Sequence, residues 1–188
     1  MKHTLPLLAL VAAASAQTAP ASGLNYDLVT ISRHQRQNTV AVQGVVKDTN
    51  FLIGISTTNG NQTDYRYGQI DLGYIFKNVT NGIDATVGII QVNGEATVYS
   101  LTLRRQWNEA YQGLEISAGY TGTLASDSTQ DWIVAGTATC QAESASFVQL
   151  AYNYNKTLSF SVGLVKPDNN ANDSDGDRAT VFSVRAAY

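Results

Sequence analysis

Ser32 and His34 stand two residues apart, a spacing that puts both on one face of a strand. A serine nucleophile needs a base in hydrogen-bond reach and a third group to orient that base. The neighbours of His34 are Arg33, Gln35 and Arg36, and no carboxylate is fixed beside the pair. The other histidine, His3, falls in the leader described below, so sites built from Asp and His pairs on several strands lack the parts. The pair reads as non-catalytic, and the chain as no enzyme.

The segment from Asp168 to Asp177 is the most metal-like stretch, with Asp173, Asp175 and Asp177 alternating around Gly176. Calcium takes such oxygen ligands. The twelve-residue calcium loop, however, wants acids at positions one, three and five, Gly at six and Glu at twelve. Setting Gly176 at six puts Ala171 at one and Phe182 at twelve, so the match fails. The stretch reads as a hydrated acidic loop. Cys140, the one cysteine, has no partner for a disulfide and no His or Cys at metal spacing. No metal or cofactor is expected.

A different set of charges carries more meaning. Asp27, Asp71, Asp84 and Glu115 are set against Arg33, Arg104 and Arg185, each within a segment of alternating apolar and polar residues. Ile70, Leu72, Tyr74 and Phe76 oppose Gln69, Asp71 and Gly73. Tyr99, Leu101, Leu103 and Trp107 oppose Ser100, Thr102, Arg104 and Gln106, with Arg105 the one charge on the apolar side. Leu114, Ile116, Ala118 and Tyr120 oppose Glu115, Ser117, Gly119 and Thr121. Side chains alternate across a strand, so each segment has one greasy face and one small or polar face.

Ten such segments are legible: 24–33, 39–46, 51–58, 65–76, 83–92, 96–107, 114–123, 146–154, 158–165 and 179–188. Trp132–Cys140 is less amphipathic and is assigned to an extended outer hairpin. Turn residues separate the runs, Asn59-Gly60 and Asn93-Gly94 among them, and Asn-Gly between alternating runs marks a hairpin. Short connections imply antiparallel neighbours in a meander. No sustained helical stripe occurs after residue 16.

Residues 1–16 have the form of an export signal. A basic start at Lys2 leads into the apolar run Leu5–Ala14, and Ala14-Ser15-Ala16 fits a small-x-small cleavage site. Residues 17–188 then form one domain. With 12 Lys and Arg against 15 Asp and Glu, a net charge of -3, there is no basic stripe for phosphates, which argues against nucleic acid as a partner. Only 14% of residues are charged, too few for the solvent faces of a β-sandwich.

The greasy faces therefore point to lipid. Aromatics near segment ends (Tyr74, Phe76, Trp107, Tyr152, Tyr154) fit girdles at two membrane interfaces. Backbone polar groups in hydrocarbon must all be paired, which strands achieve by closing into a barrel. The expected fold is all-β, an antiparallel up-and-down transmembrane barrel. Bacterial single-chain barrels have even strand numbers; ten is expected, with eight or twelve as alternatives. The runner-up is a soluble secreted or periplasmic β-sandwich that binds a ligand.

The closing stretch, Thr180 to Tyr188, puts Phe182, Val184 and the final Tyr188 on one face. It resembles the C-terminal strand of bacterial outer-membrane β-barrels. With the Leu24–Val29 strand near the start, the chain resembles small opacity-protein-like and OmpA-like barrels over most of its length. That resemblance implies residence in the outer membrane and recognition of the terminal strand by the barrel-assembly machinery. It identifies no external ligand. Inside such a barrel, Asp27, Asp71, Asp84, Glu115, Arg104 and Arg185 are the candidate lumen charges. Rings of charge set pore selectivity, whereas small barrels have interiors just filled by side chains. A plug of ion pairs is the favoured reading of the lumen, over an ion-selective constriction. The expected role is structural, adhesive or that of a narrow pore.

Overall fold

The computed structural model describes residues 23–34, 37–60, 66–92, 96–108, 110–123, 130–134, 138–142, 144–168 and 179–188. The strands are β1 (Leu28–His34), β2 (Gln37–Val45), β3 (Phe51–Gly60), β4 (Arg66–Thr80), β5 (Ile83–Val92), β6 (Ala96–Gln106), β7 (Leu114–Thr123), β8 (Gln130–Val134), β9 (Ala138–Ala142), β10 (Ser144–Asn153), β11 (Leu158–Asp168) and β12 (Ala179–Ala187). Ten of them close into one barrel, in the order β1-β12-β11-β10-β7-β6-β5-β4-β3-β2, and β8 pairs with β9 as a separate hairpin. The chain is thus a closed antiparallel barrel and not two packed sheets.

Closure is made by β1 against β12, in register from Leu28 opposite Ala187 to Arg33 opposite Phe182. A closed ladder leaves no unpaired edge, which is why this topology survives in hydrocarbon. Alternation fixes which face is which. Ile55 (58% exposed), Ile70 (51%) and Leu164 (52%) point outward, while Ser32, Gln69, Ser117 and Ser161 are buried inside. This inversion of the usual globular pattern is the physical mark of a barrel whose outer solvent is apolar. On β6 the outward face from Tyr99 to Trp107 runs about 26 Å along the strand, roughly 20 Å along the axis at a ~40° tilt.

The start of β1 and the end of β12 lie at one end of the barrel, with four connections: 46–50, 81–82, 107–113 and 154–157. Asn81 and Gly82 have φ of 46° and 75°, as a two-residue hairpin turn of the primed type requires. The end of β7, the start of β10, the end of β11 and the start of β12 lie at the other end, called here the loop end. There the β8–β9 hairpin crosses the opening, lying near β1, β2, β3, β4 and β11.

The girdle residues need one correction. Tyr74, Phe76, Trp107, Tyr152 and Tyr154 are all exposed, but their positions late in β4, at the end of β6 and at the end of β10 put all five at the terminus end. Tyr99, Tyr120 and Phe182 form the outward aromatics of the loop end. The ladder order, which alternation alone does not reveal, decides this.

Candidate functional site

The inward faces meet in the barrel lumen, which is layered. Towards the terminus end, Glu115 of β7 gathers two arginines on a single oxygen. Arg104 Nε and Nη2 donate to its Oε1 at 3.2 and 3.0 Å, and Arg185 Nη1 donates to the same atom at 3.1 Å. All three residues are buried. Arg104 sits on β6, beside β7; Arg185 is on β12, three strands away from β7 in the ladder. The cluster therefore ties opposite parts of the wall through the lumen. Among the described residues, Arg185 Nε and Nη2 find no further acceptor.

Tyr26, just before β1, enters the same layer. Its hydroxyl donates to Asp84 Oδ2 at 2.8 Å, and Arg104 Cζ lies 4.6 Å from its ring centroid, within cation–π range. Burial raises the Tyr26 phenol above its ordinary range, against the opposing pull of Arg104, so the hydroxyl stays a donor to Asp84. The other carboxylate oxygen of Asp84 accepts the Asn78 amide at 2.8 Å.

The middle layer is polar. Asp71 accepts from Gln69 Nε2 at 3.0 Å, Gln149 Nε2 donates to Ser161 Oγ at 2.9 Å, and a cavity of about 130 Å³ opens between them. Asp71, Ser100, Thr102, Arg104, Gln149 and Arg185 are among its lining residues. A cavity of this size with a carboxylate, hydroxyls and guanidinium groups on its mixed wall holds several waters. Towards the loop end the lumen turns apolar on one side, where Ile90, Val92, Val98, Phe147, Val165 and Val181 pack together. On the other side buried hydroxyls face inward, with Thr39 and Thr58 oxygens 2.6 Å apart.

Four of the expected lumen charges, Arg104, Arg185, Glu115 and Asp84, converge in one layer; Asp71 lies above them. Asp27 does not join. It shares the parity of Val29 and Ile31, opposite to buried Leu28 and Thr30, and its Oδ1 accepts the Val45 amide at 2.8 Å at the barrel rim. Arg33 has the same outward parity and is exposed. Asp27 is expected in the lumen and Arg33 is set among the charges opposed to it; the strand's facing puts both outside. Phe182 and Val184 face outward, and the exposed Tyr188 hydroxyl donates to the Gln43 carbonyl at 2.9 Å.

Two features escaped the sequence reading. One is Tyr26, because nothing in its local pattern tells of a partner on β5. The other is the apolar inner cluster, although Ile89-Ile90, Phe147-Val148 and Leu164-Val165 signal it. A strand with adjacent apolar residues is greasy on both faces. The side chains of His34 and Cys140, the segment 169–178 and residues 1–16 lie outside the described residues. Among the described residues no group of His, Cys, Asp or Glu has metal-site geometry.

No family model and no curated protein matches this chain. Among solved structures it is similar to the KdgM porin in complex with disordered oligogalacturonate, at 7% identity and a TM-score of 0.53, over 86% of this chain and 99% of that one. A second similarity is to the NanC porin in a rhombohedral crystal form, at 10% identity and a TM-score of 0.48, over 86% of this chain and 98% of that one. The first similarity shows a shared porin-like barrel fold.

Proposed function

We propose that this chain is an outer-membrane β-barrel of the narrow-pore type, a conduit for small ions or water-sized solutes with no catalytic role. The observation that carries it is the pairing of a lipid-compatible outer wall with a polar, cavity-bearing lumen inside a closed barrel. A purely structural barrel needs the first feature and not the second. Export through residues 1–16, delivery by the barrel-assembly machinery through Phe182, Val184 and Tyr188, and the kinship to opacity-protein-like and OmpA-like barrels belong to the same proposal. Outer-membrane lipid and the barrel-assembly machinery are the partners it requires. A structural or adhesive role is the second reading, favoured by the β8–β9 hairpin that stands across the loop-end mouth.

The described inward charges argue against an acidic solute such as the KdgM porin's oligogalacturonate. Arg104 and Arg185 face Glu115, Asp71 and Asp84, so carboxylates outnumber arginines, and Glu115 engages both cations. Such a lumen favours cations weakly. Purified protein in planar bilayers under a salt gradient tests this. Small steps with a modest cation preference support the narrow pore. Large anion-selective steps, or permanent silence of every lumen variant, contradict it.

A further inference from the structure

Residues Gly23–Asp27 precede β1 and run across the terminus-end mouth. β6 is five strands from β1 in either direction around the barrel, so it is the wall directly opposite. Gly23 is nevertheless held there twice: its amide donates to Gln106 Oε1 at 2.9 Å, and Gln106 Nε2 donates to its carbonyl at 2.6 Å. Between these walls the chain bends at Asn25, whose Oδ1 accepts the Asp27 amide at 2.9 Å. The bend aims Tyr26 into the lumen, where β5 holds its hydroxyl through Asp84 and Arg104 of β6 covers its ring. On the near wall, Gln43 Nε2 of β2 donates to the Tyr26 carbonyl at 3.1 Å.

We propose that Gly23–Asp27 is a displaceable strap that controls access to the lumen from the terminus end, with Tyr26 as its stopper. This rests on the narrow-pore reading and adds the element that closes it. Two observations separate the strap from the wall. The closing ladder of β1 and β12 begins at Leu28, so the barrel is complete without residues 23–26. The bonds between Gly23 and Gln106 are exposed, where water replaces them at little net cost. Tyr26 alone of the strap is deeply buried, so the stopper is a single side chain held by Asp84 and Arg104.

The strap makes a specific demand on labelling chemistry. In full-length protein with Cys140→Ser, Thr102→Cys places one thiol on the cavity wall. A charged methanethiosulfonate reagent is applied to the protein in phosphatidylcholine vesicles. Tyr26→Ala removes the stopper; Gly23→Pro removes the amide that Gln106 accepts and cannot hold the φ of 113° found there. Labelling at least tenfold faster in either variant supports the strap, and Tyr26→Phe should fall between them and the parent. Equal rates in parent, Tyr26→Ala and Gly23→Pro overturn it. If Tyr26→Ala fails to form a heat-modifiable barrel, Gly23→Pro at the exposed end decides. Bilayer recordings separate the two claims. Faster labelling with every variant electrically silent keeps the strap and removes the pore. Conductance in the parent with unchanged labelling keeps the pore and removes the strap.

Discussion

Glu115 is the residue on which the lumen network turns, because a single carboxylate oxygen serves two buried guanidinium groups. Removing one partner of a buried pair leaves an uncompensated charge, which costs about 3–5 kcal/mol. Glu115→Gln strands both arginines at once, whereas Arg104→Ala leaves Arg185 still paired. Urea unfolding in detergent should therefore rank Glu115→Gln as most destabilising, Arg104→Ala next, and the turn change Thr157→Ala nearly neutral; equal midpoints would refute the network. Asp71 makes a separate prediction, since its side-chain bond among the described residues is to neutral Gln69. Asp71→Asn should lower cation preference in bilayers, read as a reversal potential moved toward zero, with stability nearly unchanged. An unmoved reversal potential would place Asp71 off the conducting path. Alternation put Arg104, Glu115 and Arg185 on the polar faces of their strands. That they meet was not legible, because β7 and β12 are far apart in sequence and become partners across a lumen only once the ladder closes. Asp27 and Arg33 show the converse failure. A short first strand with few apolar residues gives a weak phase, and one residue of slip exchanges the faces.

Strands carry the next level of specification. Ile83–Val92 and Leu114–Thr123 have the boundaries expected from sequence, since each is bounded by strong turn chemistry. β4 runs on to Thr80 through a register irregularity after Phe76, which no alternation pattern reports. Packing between strands is tight where Phe147 of β10 lies over Gly119 of β7, the residue opposite it in register. A Cβ on Gly119 would strike the Phe147 ring and lie 2.6 Å from the Leu101 carbonyl oxygen. The ring can turn; the backbone oxygen cannot. Gly119→Ala should cost about 1–3 kcal/mol as overpacking, visible as a lower unfolding temperature in detergent, and pairing it with Phe147→Ala should restore only part of the loss. Wild-type stability in Gly119→Ala would mean that β7 and β10 pack otherwise. The last strand makes a distinct demand. Tyr188 closes an outward apolar row at the rim and is bonded to Gln43 of β2. A charge at the interface costs at most about 1 kcal/mol by depth alone, but Tyr188→Asp also removes the aromatic that ends the apolar row and its bond to Gln43, so it should reduce the yield of heat-modifiable barrel in cells. Undiminished yield would remove Tyr188 from the assembly signal.

At the scale of the molecule, two solvents shaped one sequence. Ile53, Ile55, Ile70, Leu72, Phe160 and Leu164 are large and outward, while the ion pairs, amides and hydroxyls are inside, so the barrel is the inverse of a soluble core. That inversion was legible because most strands show it separately. The two features that cover the lumen were less so. The hairpin at the loop end followed from Trp132–Cys140 failing to alternate, but the strap at the other end depends on single side-chain bonds spanning the full width of the barrel. Whether the apolar wall faces lipid is decided by cell fractionation with gel analysis. The protein should be recovered with the outer membrane and should migrate differently on a detergent gel before and after boiling. Recovery in the soluble periplasmic fraction, with identical migration in both lanes, would contradict the account.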